Sequence, residues 1–276
     1  MRPRLRSLGP WEYTAFAVFF AVAVYTGWVA WDVHDASSDT VDASLGSSPS
    51  SPSPSVQVAA PESPMTPPPL RPFRAAARSA GTVLVIGDST GAGPGAWVDL
   101  VAQDLGEQHR VALHAWDESS GQFAEAPTSY GETGPRLEVW NLSYHGVDPD
   151  YADHLDGVPL PDIVLLDIGH DRSPRELART ATLTLDAVGA RWGDVPTAVV
   201  LQNPSVLDEE QQQRRGVKRL TRFAAEYGDP VIDVYAAFER SDPGLSFVTA
   251  DSRPTEAGSR LWADVVDRAL SVTTSR

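Results

Sequence analysis

Ser89 lies in the run Gly87-Asp88-Ser89-Thr90-Gly91, directly after the apolar segment Thr82 to Ile86. A serine hydroxyl is a weak nucleophile until a neighbouring base takes its proton, and the charge it raises on a carbonyl oxygen needs fixed donors. A glycine-flanked turn that ends a strand and opens a helix leaves backbone N–H groups facing such a charge. The base must come from elsewhere. The six histidines are His34, His109, His114, His145, His154 and His170, so none lies beyond position 170. His145 and His170 stand in the short segments Asn141 to Gly146 and Gly169 to Asp171, each following an apolar run, and either could act as a base toward Ser89. His114 and His154 read as surface or packing residues. A fourth segment, Asp251 to Gly258, carries Arg253, which stays protonated at any biological pH and cannot accept a proton. The chain has no cysteine, which removes thiolate nucleophiles and disulfides.

Other chemistries fit the same residues less well. Gly87 to Gly91 also matches the G-x-S-x-G nucleophile elbow, but that arrangement requires a later acid and then a later histidine, with the serine well inside the order of strands. A phosphate-binding loop would need a lysine after the glycines, and Lys218 is the only lysine. The glycines would also suit a tight turn with no ligand. His145, His170 and Asp171 are metal-ligand types, yet their spacing singles out no metal, and no cofactor is expected.

Elements that place these segments are legible as patterns. Thr82 to Ile86, Val111 to Ala115, Leu137 to Asn141, Ile163 to Ile168, Thr197 to Leu201 and Val231 to Val234 read as strands, several β-branched and continuous as in a parallel sheet covered on both faces. Helices are expected over Trp97 to Leu105, Pro174 to Val188, Glu209 to Tyr227 and Thr255 to Leu270, the second opened by a Ser173/Glu176 capping box. Such alternation predicts a three-layer α/β/α sandwich with a mainly parallel sheet. The four segments would then meet at the carboxyl ends of the strands. Trp116 to Pro135 is polar and aperiodic and reads as a long surface loop.

Ahead of this domain the sequence changes character. Residues 1–10 carry Arg2, Arg4 and Arg6; residues 11–31 contain an uncharged apolar run of 19 residues, Tyr13 to Trp31, about enough to cross a hydrocarbon core of ~30 Å. No Lys or Arg follows until Arg71, so the positive-inside rule predicts a cytoplasmic amino terminus and a single-pass anchor at a bacterial cell membrane with everything after it outside. A cleaved signal peptide is the competing expectation. Residues 32–78, with runs such as SSPSSPSPS, read as a Ser/Pro-rich disordered linker, and residues 79–276 as the folded domain. The net charge of -15 argues against a nucleic-acid partner.

From Thr82 to Leu270 the four segments, in this order, resemble the blocks of the SGNH, or GDSL, hydrolase superfamily. The resemblance implies a flavodoxin-like α/β/α fold and hydrolysis of carboxylic esters, namely acyl or acetyl groups of lipids or glycans. It assigns Ser89 as nucleophile and oxyanion donor, and Gly146, ending an N-x-x-x-x-G run, as a second oxyanion donor. Two positions depart from the pattern. Asp171, followed by Arg172, stands where the family has an oxyanion-binding Asn. Arg253 stands where it has the base His, with Ala250 in the place of the acid and Asp251 one position out of register. A carboxylate accepts hydrogen bonds and repels an oxyanion; because the resemblance has both positions facing the nucleophile, Asp171 and Arg253 are expected to pair with each other. The departures leave two further readings: a degenerate SGNH-fold protein that binds a cell-surface ligand or partner without turnover, and a purely structural surface module.

Overall fold

A computed structural model of the protein describes residues 66–145, 151–170, 173–207, 210–241 and 245–271. The predicted residue 11–31 span lies outside them, and among the described residues no helix is long and apolar enough to cross a membrane.

Six strands run parallel in the order β2 (Arg110–Asp117), β5 (Arg136–Ser143), β1 (Thr82–Gly87), β6 (Ile163–Asp167), β7 (Thr197–Leu201) and β8 (Val231–Asp233). Two short strands, β3 (Gln122–Phe123) and β4 (Thr128–Tyr130), pair antiparallel with β2. They occupy the segment expected to be a loop. Their pairing is brief and their residues mostly exposed, so no apolar alternation marks them in sequence.

Successive residues of β1 enter different cores. Val83 and Val85 join Trp97, Val98, Phe238 and Trp262 on one face, whereas Leu84 and Ile86 join Leu177, Leu185, Leu220 and Phe223 on the other. This two-sided burial is why the central strands read as unbroken apolar runs. The first face is covered by α1 (Arg71–Ser79), α2 (Trp97–Leu105), α5 (Val234–Ser241) and α6 (Glu256–Leu270), the second by α3 (Pro174–Trp192) and α4 (Glu210–Tyr227). The three-layer expectation therefore holds, with a mixed sheet whose core is parallel.

Helix boundaries follow local chemistry. Ser173 accepts from the Glu176 N–H while Glu176 reaches back to the Ser173 N–H, closing the expected capping box of α3. Thr255 caps α6 through the Gly258 N–H, so it precedes the helix rather than belonging to it. Val234, expected at the end of a strand, opens α5 instead, because the Asp233 carboxylate accepts the Ala236 N–H and turns the chain. Residues 71–78, expected to close the linker, are helical: Pro72 is tolerated in a first turn, and Phe73 is 3% exposed in the core beneath α6.

At the amino-terminal edge of β8, burial and the Asp194 charge push the Asp229 carboxyl up to about 7 from its ordinary 3.8. The folded chain thus holds this proton more tightly than the unfolded chain. The stability it contributes is present in full below about pH 4 and is lost as pH rises toward 7. Melting temperatures followed from pH 5 to pH 8 are expected to fall more in wild type than in Asp229→Asn, which mimics the protonated form throughout.

Candidate active site

The first turn of the site is built by Asp88. Its Oδ1 accepts from the Thr90 N–H at 3.0 Å and from the Thr90 hydroxyl at 2.7 Å, forcing residues 89–91 into a single 3-10 turn at the carboxyl end of β1. Its Oδ2 accepts from the Gly169 and His170 N–H groups at 3.3 and 3.2 Å, and from Gln202 Nε2 at 2.8 Å. One buried carboxylate therefore joins the loops after β1, β6 and β7. Ser89 stands on top of this knot, partly exposed, and among the described residues neither its hydroxyl nor its N–H has a partner.

A second carboxyl group lies underneath. Asp167 is fully buried, its Oδ2 accepting from Trp97 Nε1 at 2.9 Å and its Oδ1 from Gln202 Nε2 at 3.1 Å. Burial, and then the Asp88 charge, push its pKa well above the usual carboxylate range. Hydrogen counting agrees. The Thr90 hydroxyl gives its one hydrogen to Asp88, so its 3.4 Å contact with Asp167 Oδ2 is satisfied when Asp167 supplies the proton. A proton held on Asp167 removes the repulsion that two adjacent buried carboxylates would suffer.

Gln202 fixes the third side. Besides its bonds to both carboxyls, its Oε1 accepts the His170 N–H at 2.7 Å. A Cβ added at Gly169 would stand 2.2 Å from that Oε1, and Gln202 cannot swing aside without breaking its bonds to both acids. Gly169→Ala is expected to cost about 1–3 kcal/mol by overpacking, read as a lowered midpoint in urea unfolding at unchanged slope. Gly87 and Gly91 are constrained similarly, since a Cβ at either would meet Ser143 Oγ at 2.8 and 2.7 Å.

The loop before α6 is tied in through Asn203, whose Oδ1 meets His170 Nε2 at 3.1 Å and whose Nδ2 donates to the Ser252 carbonyl at 3.1 Å. Ser252 has φ 65°, the left-handed region costly for a residue with a Cβ, and is 4% exposed. Its hydroxyl holds that geometry by bonding Ser205 Oγ at 2.8 Å and accepting the Val206 N–H at 3.0 Å. The strain fixes where Arg253 begins. The Arg253 side chain reaches Asp251, with Nε 3.4 Å from Oδ2, and its charge also bears on Glu118.

His145 has a partner of a different kind. Its Nδ1 lies 2.7 Å from Glu118 Oε1, and its backbone N–H donates to the same oxygen at 2.6 Å. Burial pushes the Glu118 carboxyl up, but the hydrogen bonds from His145, with the Arg253 charge, outweigh it, so the carboxyl lies below its usual range. His114 and His154 are packing residues as expected: His114 stacks on Trp140 at 4.1 Å and bonds Glu138, while His154 lies against Trp116 and Tyr144.

Of the residues singled out in sequence, Ser89, His145 and His170 follow the carboxyl ends of β1, β5 and β6, and the Arg253 charge acts on Glu118. Gly146 and Asp171 lie outside the described residues, and so does the expected Asp171–Arg253 pair; among the described residues, the ion partner of Arg253 is Asp251. Glu118, Asp167, Gln202, Asn203 and Ser252 were not singled out. Asp167 could have been: a carboxylate closing a five-residue apolar strand beside a catalytic-type loop invites a partner. Among the described residues no group of three or more His, Asp or Glu could hold a metal ion.

No family model matches this sequence, and no curated protein matches it. Solved structures do. A member of the lipolytic protein G-D-S-L family from Veillonella parvula matches over 67% of this chain and 95% of its own, with 17% identity and a TM-score of 0.47. The lipase/acylhydrolase from Enterococcus faecalis matches over 68% and 93%, with 18% identity and a TM-score of 0.47. A carbohydrate esterase family 3 protein from Talaromyces cellulolyticus matches over 68% and 95%, with 16% identity and a TM-score of 0.49.

Proposed function

We propose that this chain is a serine-dependent hydrolase of carboxylic esters, of the SGNH type, with Ser89 as nucleophile. The observation that carries the reading is the state of Ser89 itself. Its hydroxyl and N–H are both uncommitted among the described residues, at the accessible edge of a turn whose neighbours Asp88 and Thr90 are buried and fully bonded. A serine serving only a turn has no need of so rigid a floor. Fixed geometry around a free hydroxyl is what acyl transfer requires, since the nucleophile and the oxyanion donor must hold position while charge develops. The substrates on this reading are acyl or acetyl esters of lipids or glycans. The domain acts outside the membrane on a single-pass amino-terminal anchor, supported by Arg2, Arg4 and Arg6 before the apolar run and the absence of basic residues after it until Arg71. Gly146 and Asp171 keep the places the four-block resemblance gives them: Gly146 beside the oxyanion, and Asp171 where an amide donor would stand.

Arg253 favours a second reading. A guanidinium at the position of the expected base accepts no proton, and here it is engaged by Asp251. If no other base serves Ser89, the cleft binds an ester, glycan or cell-surface partner without turning it over. Turnover of a short-chain aryl ester by the full chain, compared with Ser89→Ala, separates the two. A rate above buffer that the substitution removes supports the hydrolase; equal rates from both proteins reject Ser89 as nucleophile and leave the binding reading.

A further inference from the structure

Resting on the reading of Ser89 as nucleophile, we infer that His145 is the general base of this site and that Glu118 is its orienting carboxylate, so that an acid–histidine–serine relay runs across three adjacent strands, β2, β5 and β1. The sheet order puts β5 between β2 and β1, and the registers are set by named pairs. Gly87 of β1 is level with Ser143 of β5. Two residues beyond this rung, past the ends of both strands, stand Ser89 in its 3-10 turn and His145 in the loop after β5, and the two parallel strands they leave are about 4.8 Å apart. Ala115 of β2 is level with Asn141 of β5, so Glu118 emerges beside Tyr144 and His145. The nucleophile, base and acid positions thus follow one another laterally along the carboxyl edge.

The chemistry selects His145 over His170. With Nδ1 donating to the Glu118 carboxylate at 2.7 Å, the lone pair of His145 sits on Nε2, the tautomer a base needs. The carboxylate also stabilises the imidazolium that forms when the proton arrives. His145 and Glu118 side chains are 46% and 44% exposed, open to a substrate approaching from solvent. His170, by contrast, directs Nε2 at the Asn203 amide oxygen, while its backbone N–H is bonded to Gln202 and Asp88. An amide neighbour carries no charge to offset an imidazolium, and that hydrogen bond ties the ring to the loop after β7. Arg253, which cannot take the proton, instead helps keep Glu118 ionised.

The reaction balances with water as the only co-reactant. Ser89 Oγ bonds to the ester carbonyl carbon as its proton passes to His145 Nε2, and the Ser89 N–H donates to the oxyanion. The carbon–oxygen bond to the alcohol breaks, and the alcohol leaves with the proton from His145. Water then gives a proton to His145 as its oxygen attacks the acyl-serine. The acid is released, and Ser89 regains its hydrogen.

The test uses the full chain, with turnover of a short-chain aryl ester and the rate of fluorophosphonate labelling measured side by side. His145→Ala is expected to lower both by on the order of 10²–10⁴, and His170→Ala by no more than a few-fold. Glu118→Gln should reduce kcat about 10-fold or more at unchanged KM, with Glu118→Asp recovering part of the loss, because a shorter carboxylate still orients the ring. Added imidazole should restore turnover to His145→Ala and not to Ser89→Ala. Melting temperatures near wild type for the substitutions at the exposed His145 and Glu118 exclude a folding cause. Wild-type rates in His145→Ala, with Ser89→Ala inactive, would overturn the relay and leave the hydrolase reading standing. A wild-type chain inert to both probes, or rates unaffected by Ser89→Ala, would overturn both.

Discussion

Ser89→Ala is expected to lower ester turnover by on the order of 10²–10⁴ while leaving the melting temperature within about a degree or two of wild type. The two halves of this expectation have different sources. Ser89 is partly exposed, its side chain makes no hydrogen bond among the described residues, and the turn around it is closed by Asp88, Thr90 and the backbone bond from Ala92 to the Ser89 carbonyl. Removing the hydroxyl therefore costs the fold almost nothing. It costs the reaction its covalent step, because a base left without Oγ can only activate water, and the oxyanion donor then faces a poorly placed attack. A large drop in rate accompanied by a large drop in melting temperature would mean that Ser89 is structural.

Trp97→Ala is expected to destabilise the fold by about 3–5 kcal/mol, the largest stability effect among single substitutions at this site. Trp97 is 0% exposed and lies flat on Trp262, with ring centroids 5.8 Å apart and planes 1° from parallel. It opens α2 directly after the Ser89 turn, and its indole N–H is a donor to the buried Asp167. Truncation leaves a cavity beneath the sheet and removes a partner from an acid that has no access to water, which adds to the packing loss. Trp97→Phe keeps most of the volume and loses only the donor, so about 1–3 kcal/mol is expected. Urea unfolding midpoints resolve the two. Equal small losses from both variants would mean that neither the indole stack nor the Asp167 bond holds the turn in place.

The sequence was most legible where one local rule decided the outcome. The central strands showed as apolar runs because β1, β6 and β7 are buried on both faces, and α3 announced its start through Ser173, Pro174 and Glu176. The Ser89 turn showed through its glycines, two of which are required by the closeness of Ser143. What stayed hidden depends on pairing between distant strands. Glu118 sits in an aperiodic polar stretch, and nothing local links it to His145, 27 residues away; the β2–β5 register makes that contact. Gln202 and Asn203 likewise gain their meaning only when β6 and β7 lie side by side and deliver them to Asp88, Asp167 and His170. The helix α1 was masked by the prolines before it, although Pro72 suits a first turn and Phe73 anchors it. Arg253 reads in sequence only as a group unable to act as base; its ion pair with Asp251 and the effect of its charge on Glu118 follow from the fold.

The most direct measurement of the central claim is the site of covalent modification. The full chain is treated with a fluorophosphonate, digested, and the phosphonyl group located by peptide mass spectrometry. One adduct, on the peptide that carries Gly87-Asp88-Ser89-Thr90-Gly91 and absent from Ser89→Ala, is the predicted result. No adduct, or one that persists in Ser89→Ala on another serine such as Ser143 or Ser252, would contradict it.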